Sequence, residues 1–261
     1  MSQLAIHPTA VVSPQAELDP DVRIGPYAVI EGSCRIGSGV EIGPHAVILP
    51  FVRLEAGVKV GPHCVLGGEP QDLSFKGQQT WLEVGEHSVL REGVTLHRAT
   101  RPEQPTRIGK GCYLMGYVHV GHDCQVGQGV ILTQGVGLSG HTHIGDYAII
   151  GGHAGIHQFV RVGTRAMVGG ASKVSRDILP FTLADGNPAL HYRLNTIGLR
   201  RAGIPAQSYK VLEVAFRALR EGQSLQHLPD TQEMRSLREF VEAPSKRHLS
   251  GFVRGDVSFE G

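Results

Sequence analysis

A period of six residues runs through most of this chain and limits its possible folds more than any other feature. Of the 29 positions from Ile6 to Val174 whose numbers are divisible by six, 26 hold Ile, Leu or Val. The exceptions are Asp72, Gln78 and Pro102. A helix repeats every 3.6 residues and a strand every two, so neither element alone produces this pattern.

The period indicates short strands separated by turns. In a strand, positions i and i+4 share a face, and the residue four places after each aliphatic is usually small or β-branched, as at Ala28, Val118 and Ala154. Glycine often follows the aliphatic, where we expect it to serve turns of positive φ. Three strands form a triangular coil of about 18 residues, and stacked coils bury an aliphatic interior. The predicted fold is an all-β left-handed parallel β-helix with a C-terminal α-helical appendage.

Two polar stretches interrupt the repeat and define the domain organisation. Residues 67–80 and 99–106 lack the periodic aliphatics, and such insertions become loops on one face of a solenoid. We therefore predict a β-helix over 1–177, an exit loop over 178–190 and a helical C-terminal domain over 191–261.

The tail carries helical patterns in place of hexads. Residues 206–222 predict one helix that ends before Gly222, and residues 229–244 predict another. Asp230 and Glu233 have the spacing of a capping box for the second helix. The predicted apolar faces contain Val211, Val214, Ala215, Ala218 and Leu219 in the first helix and Met234, Leu237 and Val241 in the second.

Charge and composition exclude several classes of protein. The net charge is +1 and the pI is about 7.8, which gives no reason to expect nucleic acid as a partner. The sequence has no apolar stretch of transmembrane length and no secretory signal pattern, so we expect a cytoplasmic protein without stable membrane insertion. All four cysteines occupy the small i+4 position, which favours core packing over disulfide or metal roles. They are Cys34, Cys64, Cys112 and Cys124.

Three histidines and an aspartate fall on one edge of the predicted coil. His122, His141 and His157 lie one to three residues after an aliphatic position in three successive coils, and Asp123 is beside the first. Successive coils lie about 4.8 Å apart, so we expect the imidazoles to form a ladder. Such a ladder could bind zinc, or it could supply a general base with a carboxylate partner. A non-catalytic scaffold is a third possibility, and the His–Asp pair argues against it.

Local motifs, taken with the hexads, resemble the UDP-N-acetylglucosamine O-acyltransferase family. The resemblance covers essentially the whole chain, including the tail. Hexads alone would be weak grounds, because many acyltransferases share them. The motifs are IHPTAVV at 6–12, PQDLSFKG at 70–77, REGVTLHR at 91–98, HVGHDC at 119–124, LSGHTHIGD at 138–146, GIHQF at 155–159, GNPA at 186–189 and NTIGLRRAG at 195–203.

The resemblance implies the first step of lipid A synthesis, in which an acyl group moves from an acyl carrier protein thioester to the 3-hydroxyl of UDP-N-acetylglucosamine. His122 would act as general base, Asp123 would orient it, and the backbone amide of Gly140 would stabilise the oxyanion. The acyl donor brings its own phosphopantetheine, so no metal and no further cofactor is implied.

The resemblance also implies a binding site and a homotrimer with sites between subunits. Gly170 occupies the position that controls acyl depth, and glycine there leaves room for a longer chain. Residues implied to line the sugar-nucleotide and acyl site are Gln71, Asp72, His97, His119, His141, His157 and Gln158, with Asn195 and Arg201 reaching the nucleotide.

Acyl carrier proteins are acidic, so we expect a cationic cluster late in the coil and just after it to dock the carrier. Its members are Arg165, Lys173, Arg176, Arg193, Arg200 and Arg201.

The sequence departs from the family pattern at four positions. Ser74 replaces a lysine, Ile197 a glutamate, Ala202 an arginine and Ala99 a glycine. These changes touch nucleotide-binding positions and leave the base intact. An acyltransferase for another nucleotide sugar or a sugar amine therefore stays open, as does a zinc enzyme of the carbonic anhydrase type on the same coil.

Overall fold

The structure is a computed structural model and describes residues 5–253. They form a solenoid of short strands that continues into a β-hairpin and a group of helices. The strands are β1 (Ala5–Ile6), β2 (Val11–Val12), β3 (Glu17–Leu18), β4 (Arg23–Ile24), β5 (Val29–Ile30), β6 (Arg35–Ile36), β7 (Glu41–Ile42), β8 (Val47–Ile48), β9 (Val52–Leu54), β10 (Lys59–Val60), β11 (Val65–Gly68), β12 (Leu82–Val84), β13 (Val89–Leu90), β14 (Thr95–His97), β15 (Thr106–Ile108), β16 (Tyr113–Leu114), β17 (His119–Val120), β18 (Gln125–Val126), β19 (Ile131–Leu132), β20 (Gly137–Leu138), β21 (His143–Ile144), β22 (Ile149–Ile150), β23 (Gly155–Ile156), β24 (Arg161–Val162), β25 (Met167–Val168), β26 (Lys173–Val174), β27 (Thr182–Gly186) and β28 (Ala189–Leu194).

Three parallel sheets form the sides of the solenoid. Sheet A contains β1 and every third strand to β25, sheet B contains β2 and every third strand to β26, and sheet C contains β3 and every third strand to β24. Each residue of a regular coil pairs with the residue 18 positions later, as Ile6 pairs with Ile24 and Val126 with Ile144. The predicted left-handed parallel β-helix is confirmed.

The insertions preserve the six-residue phase. Val60 pairs with Leu90, 30 residues later, which is 12 more than in a regular coil. Leu96 pairs with Val120, 24 residues later, which is 6 more. Because 12 and 6 are both multiples of six, the aliphatic positions stay divisible by six on either side of each loop.

The periodic aliphatics and the i+4 residues fill one continuous core that extends along the solenoid. The four cysteines belong to it, as predicted, and none of them forms a disulfide. Burial raises the pKa of the Cys34, Cys64 and Cys112 thiols to about 11 and that of Cys124 to about 12. They are therefore neutral packing residues.

The prediction that glycine after each aliphatic serves a turn of positive φ is wrong. In the regular coils positive φ occurs instead three residues after the aliphatic, as at His45, Asp123 and Gly129, and Gly67 at the first insertion is an exception. Gly121, which directly follows an aliphatic, is required for close packing. A Cβ there would lie 3.0 Å from the backbone nitrogen of Gly140 in the next coil.

The segment expected as an irregular exit loop forms much of a β-hairpin. β27 pairs in parallel with β25 and antiparallel with β28, so the hairpin extends sheet A. Leu179 and Phe181 begin a second apolar core, which the helices complete. Its helices are α1 (Thr196–Arg201), α2 (Ala206–Arg220) and α3 (Gln232–Glu242). None of the helices within residues 5–253 is long and apolar enough to cross a bilayer.

The helix predictions hold in outline, with two corrections. Gly222 has a φ of +72° just after α2, as expected for the residue that follows a helix. The cap of α3 is Thr231, whose hydroxyl accepts the Met234 N–H, while Asp230 pairs with Arg238 at 2.9 Å. Val214 and Val241, predicted on the apolar faces, are exposed. After α3 the chain returns to the solenoid as a C-terminal strap, residues 243–253, where Ser245 donates a hydrogen bond to Asp177.

Candidate active site

The corner between sheets B and C brings together all three predicted catalytic residues. His122 and Asp123 lie in the turn after β17, and Gly140 and His141 lie in the turn after β20, directly above them. The backbone N–H of His141 donates to the carbonyl of His122 at 2.9 Å, which fixes the spacing between the two turns.

His122 and Asp123 form a hydrogen-bonded pair. The Nδ1 atom of His122 lies 2.7 Å from Oδ2 of Asp123, and both side chains are largely buried. An ionised carboxylate can only accept hydrogen bonds, so Nδ1 carries the proton and Nε2 is left as an acceptor. This is the tautomer that a general base requires.

The environment of Asp123 favours its ionised form. Burial alone would raise the pKa of this carboxyl group. Hydrogen bonds from His122 and Thr100, together with nearby His141, outweigh that effect and hold the pKa below its usual value. The carboxylate is therefore charged at neutral pH and can stabilise an imidazolium beside it.

His141 forms the second wall of the corner. Its ring contacts that of His122 edge-on, with 5.2 Å between the centroids, and its Nε2 lies 3.6 Å from Oδ2 of Asp123. Burial lowers the pKa of His141, and the negative charge of Asp123 opposes that shift in part.

The predicted ladder of three imidazoles is incomplete. The ring stacked on His141 belongs to Phe159, at 4.6 Å between centroids, and Lys246 of the strap lies 4.0 Å from the Phe159 centroid. His157 is exposed, and its Nδ1 faces the carbonyl of Gln158. That carbonyl also accepts a hydrogen bond from Arg247. Asp123, His141 and Phe159 each lie three places after a periodic aliphatic and form one column at this corner. His157 is only one place after its aliphatic.

Gly140 lies against the ring of His122. A Cβ at this position would stand 2.5 Å from Nε2 of His122. Among residues 5–253, the Gly140 N–H has no hydrogen-bond acceptor, although its carbonyl accepts from Phe159 at 3.2 Å. A free backbone donor next to a basic nitrogen can bind an oxyanion that forms there.

The first insertion brings Asp72 to the same corner. One oxygen of Asp72 accepts the Ser74 N–H at 2.8 Å, and hydrogen bonds from Ser74 hold the pKa of this carboxyl below its usual value. Gln71 beside it is exposed. Asp72 therefore offers a negative acceptor next to His122.

Asp72, His122 and His141 also form a group that could hold a metal ion. Their donor atoms lie within 4.8 Å of one another, and no other group of three or more donors in the described part of the chain meets this criterion. Two imidazoles and a carboxylate suit zinc.

His97 and His119 extend the site along sheet B. Their rings meet edge-on with 5.2 Å between centroids. His97 Nδ1 lies 2.6 Å from the Glu69 carbonyl, and His119 Nδ1 lies 2.9 Å from the Thr95 hydroxyl. Burial, and then the proximity of His97, lowers the pKa of His119. His97 therefore contacts the first insertion, and His119 lies beside His97 on sheet B.

The remaining predicted residues lie at other corners. Gly170 follows β25 and is exposed at the corner between sheets A and B. Asn195 caps α1 by accepting the Gly198 N–H, and it donates to the carbonyl of Arg165 at the corner between sheets C and A. Arg201 is exposed at the end of α1. Within one chain these residues therefore do not adjoin His122.

Sequence reasoning missed three residues that shape this site. Thr100 and Thr106 bind Asp123, and Phe159 stacks on His141. Phe159 could have been found from the repeat, because residues 123, 141 and 159 are 18 apart and so take the same position in successive coils. No comparable signal marks Thr100, since it lies in an insertion outside the repeat.

Comparisons with known proteins identify the family of this chain. The sequence model described as UDP-N-acetylglucosamine O-acyltransferase, domain 2, matches residues 177–255, and the bacterial transferase hexapeptide model matches residues 16–49, 33–68 and 105–140. The acyl-[acyl-carrier-protein]–UDP-N-acetylglucosamine O-acyltransferase of Sulfurihydrogenibium sp. is 56% identical over 92% of this chain and 93% of its own.

Solved structures show the same architecture. LpxA from Acinetobacter baumannii has a TM-score of 0.89 and 34% identity, covering 94% of this chain and 99% of its own. LpxA from Bacteroides fragilis, a UDP-N-acetylglucosamine acyltransferase, has a TM-score of 0.90 and 32% identity, covering 95% of this chain and 100% of its own. The chain thus belongs to the UDP-N-acetylglucosamine O-acyltransferase family of hexapeptide-repeat acyltransferases.

Proposed function

We propose that this enzyme transfers a 3-hydroxy fatty acyl group from acyl carrier protein to the 3-hydroxyl of UDP-N-acetylglucosamine, the first step of lipid A synthesis. The observation that carries the proposal is the His122–Asp123 pair with Gly140 against its free nitrogen. The relatives are named as acyl-[acyl-carrier-protein]–UDP-N-acetylglucosamine O-acyltransferases, which supports the choice of donor and acceptor.

The residues at the corner have complementary roles in the transfer. Nε2 of His122 takes the proton of the sugar hydroxyl as its oxygen attacks the thioester carbonyl, and Asp123 stabilises the imidazolium. The Gly140 N–H binds the oxyanion of the tetrahedral intermediate. When the intermediate collapses, the carbon–sulfur bond breaks, and the pantetheine thiolate takes the proton from His122. Acyl transfer is then complete, and no metal or further cofactor is required.

The first insertion and sheet B form the sugar side of the site in this proposal. The Asp72 carboxylate accepts hydrogen bonds from sugar hydroxyls, and Gln71, His97, His119, His157 and Gln158 line the nucleotide sugar and the acyl chain. Ser74, which replaces a lysine of the family, holds Asp72 in the structure. Its place in the loop therefore supports retention of the same sugar site.

A homotrimer would bring the three corners together. Gly170, Asn195 and His122 lie at three different corners of the solenoid. A threefold assembly places one corner of each subunit beside a different corner of its neighbour, so Gly170 of one copy can end the acyl pocket of another. Asn195 and Arg201 reach the nucleotide in the same way.

Lys173, Arg176, Arg200 and Arg201 are exposed cations at the end of the coil and on α1. They suit the acidic surface of an acyl carrier protein. Arg165, another member of the predicted cluster, stacks on Tyr147 at 4.4 Å. We assign the reaction to the cytoplasm, a compartment in which free cysteines such as those of the core are common.

The test is an acyl-transfer assay with the purified chain and acyl carrier proteins loaded with chains of several lengths, with and without the 3-hydroxyl. The acceptors are UDP-N-acetylglucosamine and its 3-amino analogue. Mass analysis should find an ester of the ordinary nucleotide sugar with a 3-hydroxyacyl chain. An amide formed only from the amino analogue would instead identify the sugar-amine acyltransferase.

A further inference from the structure

The second insertion is closed tightly at its base. The backbone N–H groups of Ala99 and Thr106 both donate to the carbonyl of Trp81, at 3.3 and 3.0 Å. Thr106, which forms part of this closure, and Thr100, which follows Ala99, are buried although the residues between them are largely exposed. The loop therefore presents two fixed threonines to the neighbouring coil.

Both threonines bind Asp123. The Thr100 N–H donates to Oδ1 at 3.0 Å, and the Thr100 hydroxyl donates to Oδ2 at 2.8 Å. The backbone N–H of Asp123 in turn donates to the Thr106 hydroxyl at 2.7 Å. The insertion thus holds each carboxylate oxygen and the backbone of the residue that pairs with His122.

The orientation of Asp123 needs this support. The terminal torsion of an aspartate has a broad energy minimum, so a carboxylate with a single partner rotates easily. Oδ2 accepts from both His122 Nδ1 and the Thr100 hydroxyl, which directs the remaining lone pair of that oxygen at the imidazole. A fixed carboxylate keeps the histidine in one tautomer, as in other His–carboxylate pairs.

We propose that Thr100 is a positioning residue of the active site: it orients the Asp123 carboxylate, which in turn orients the His122 ring. This inference rests on the proposed role of His122. It assigns a chemical purpose to the second insertion, which supplies the Thr100 N–H and hydroxyl that hold Asp123.

Two substitutions distinguish the effect of the Thr100 hydroxyl from an effect on folding. Thr100→Val keeps the shape and the backbone N–H, and so it retains the bond to Oδ1 while it removes the bond to Oδ2. Thr100→Ser keeps both bonds. We expect kcat of the valine variant to fall about tenfold with KM nearly unchanged, and the serine variant to remain near wild type.

The central test combines kinetics with a readout that does not depend on turnover. Nitrogen-15 chemical shifts of the His122 ring should show Nδ1 protonated in the wild type and the serine variant, and a mixture of tautomers in the valine variant. In an Asp123→Ala background, Thr100→Val should cause no further loss of kcat.

Unchanged His122 shifts in a folded valine variant would overturn the positioning role, as would an equal loss of kcat with and without Asp123. The shifts report on Thr100 even if His122 proves not to be the base. In that case His122→Ala would stay active while the tautomer still responded to Thr100→Val, so the two failures can be distinguished.

Discussion

Nδ1 of His122 lies 2.7 Å from Oδ2 of Asp123, at a corner where the His122 side chain is 9% exposed. The pairing commits one ring nitrogen to the carboxylate and leaves the other beside Gly140. Consecutive residues of one turn can form this pair because Asp123 has a φ of +59°, which turns its side chain along the column of coils. The site is therefore a direct product of the left-handed turn geometry.

Gly140→Ala should abolish most of the activity. The new methyl group would lie 2.5 Å from Nε2 of His122, so the ring must move or the turn must distort. We expect kcat to fall at least about 100-fold, since this change disturbs both the base and an oxyanion donor. Gly251→Ala, in the C-terminal strap, is the control, because its added Cβ would come no closer than 3.4 Å to a neighbour, at Leu190. Steady-state kinetics and thermal unfolding of both variants decide the matter, and equal activities would contradict the account.

Arg98→Lys should weaken binding of the nucleotide sugar. The buried Arg98 guanidinium donates to the Gln78 carbonyl and to Glu69, at 2.9 and 2.8 Å, and lies 5.0 Å from the Phe75 ring, so it holds the first insertion in place. Lysine cannot make this set of contacts. We expect KM for the nucleotide sugar to rise about tenfold with little change in kcat. Arg91→Lys, at an exposed arginine, is the control. A normal KM for Arg98→Lys would show that the loop needs no such anchor.

The solenoid and its core could be predicted because each coil repeats the same contacts. Val118, Val120 and Cys124 are all fully buried, as the six-residue phase requires. The six-residue repeat also placed His122 and His157 at one corner, but it did not predict the direction of their side chains. That direction depends on which residue of the turn has positive φ, and Phe159 rather than His157 has it.

The parts outside the repeat were predicted less well, because no second coil constrains them. Asp230 and Thr231 are both good N-cap residues; Thr231 caps α3, while Asp230 pairs with Arg238 of the same helix. Thr100 lies in an insertion, so its bond to Asp123 depends on a loop path that local patterns do not encode.

The attachment of the C-terminal region should weaken in acid. His191 is buried, with Nε2 accepting the Leu179 N–H, and burial lowers its pKa to about 4. Between about pH 6.5 and pH 4 the unfolded chain binds a proton at this site that the folded chain does not. The free energy of unfolding therefore falls as the pH falls, by up to about 3 kcal/mol from this residue.

Thermal unfolding at pH 7 and pH 5 tests that expectation. His191→Gln removes the titration, so its loss of stability between the two pH values should be clearly smaller than that of the wild type. His227→Gln, at an exposed histidine, should behave like the wild type. Identical pH dependence in all three proteins would rule out His191 as the source.

Carrier docking should depend on the cations at the end of the solenoid. Lys173→Glu with Arg176→Glu reverses two exposed charges while it leaves the His122 corner unchanged. We expect KM for acyl carrier protein to rise about tenfold at low salt and the difference to shrink at high salt. Lys59→Glu with Arg23→Glu, far along the solenoid, is the control. An unchanged KM at low salt would place the docking surface elsewhere.

The role of His122 as the base is tested most directly by the rate of acyl transfer of His122→Ala. It is measured beside His45→Ala, at an exposed corner, and the wild type is also assayed with a zinc chelator. We predict a loss in kcat of about 100-fold to 10,000-fold for His122→Ala, wild-type rates for His45→Ala, and full activity of the wild type after chelation. Near-normal turnover by a folded His122→Ala variant would contradict His122 as the base. Loss of wild-type activity on chelation, restored by zinc, would assign Asp72, His122 and His141 to a metal site instead.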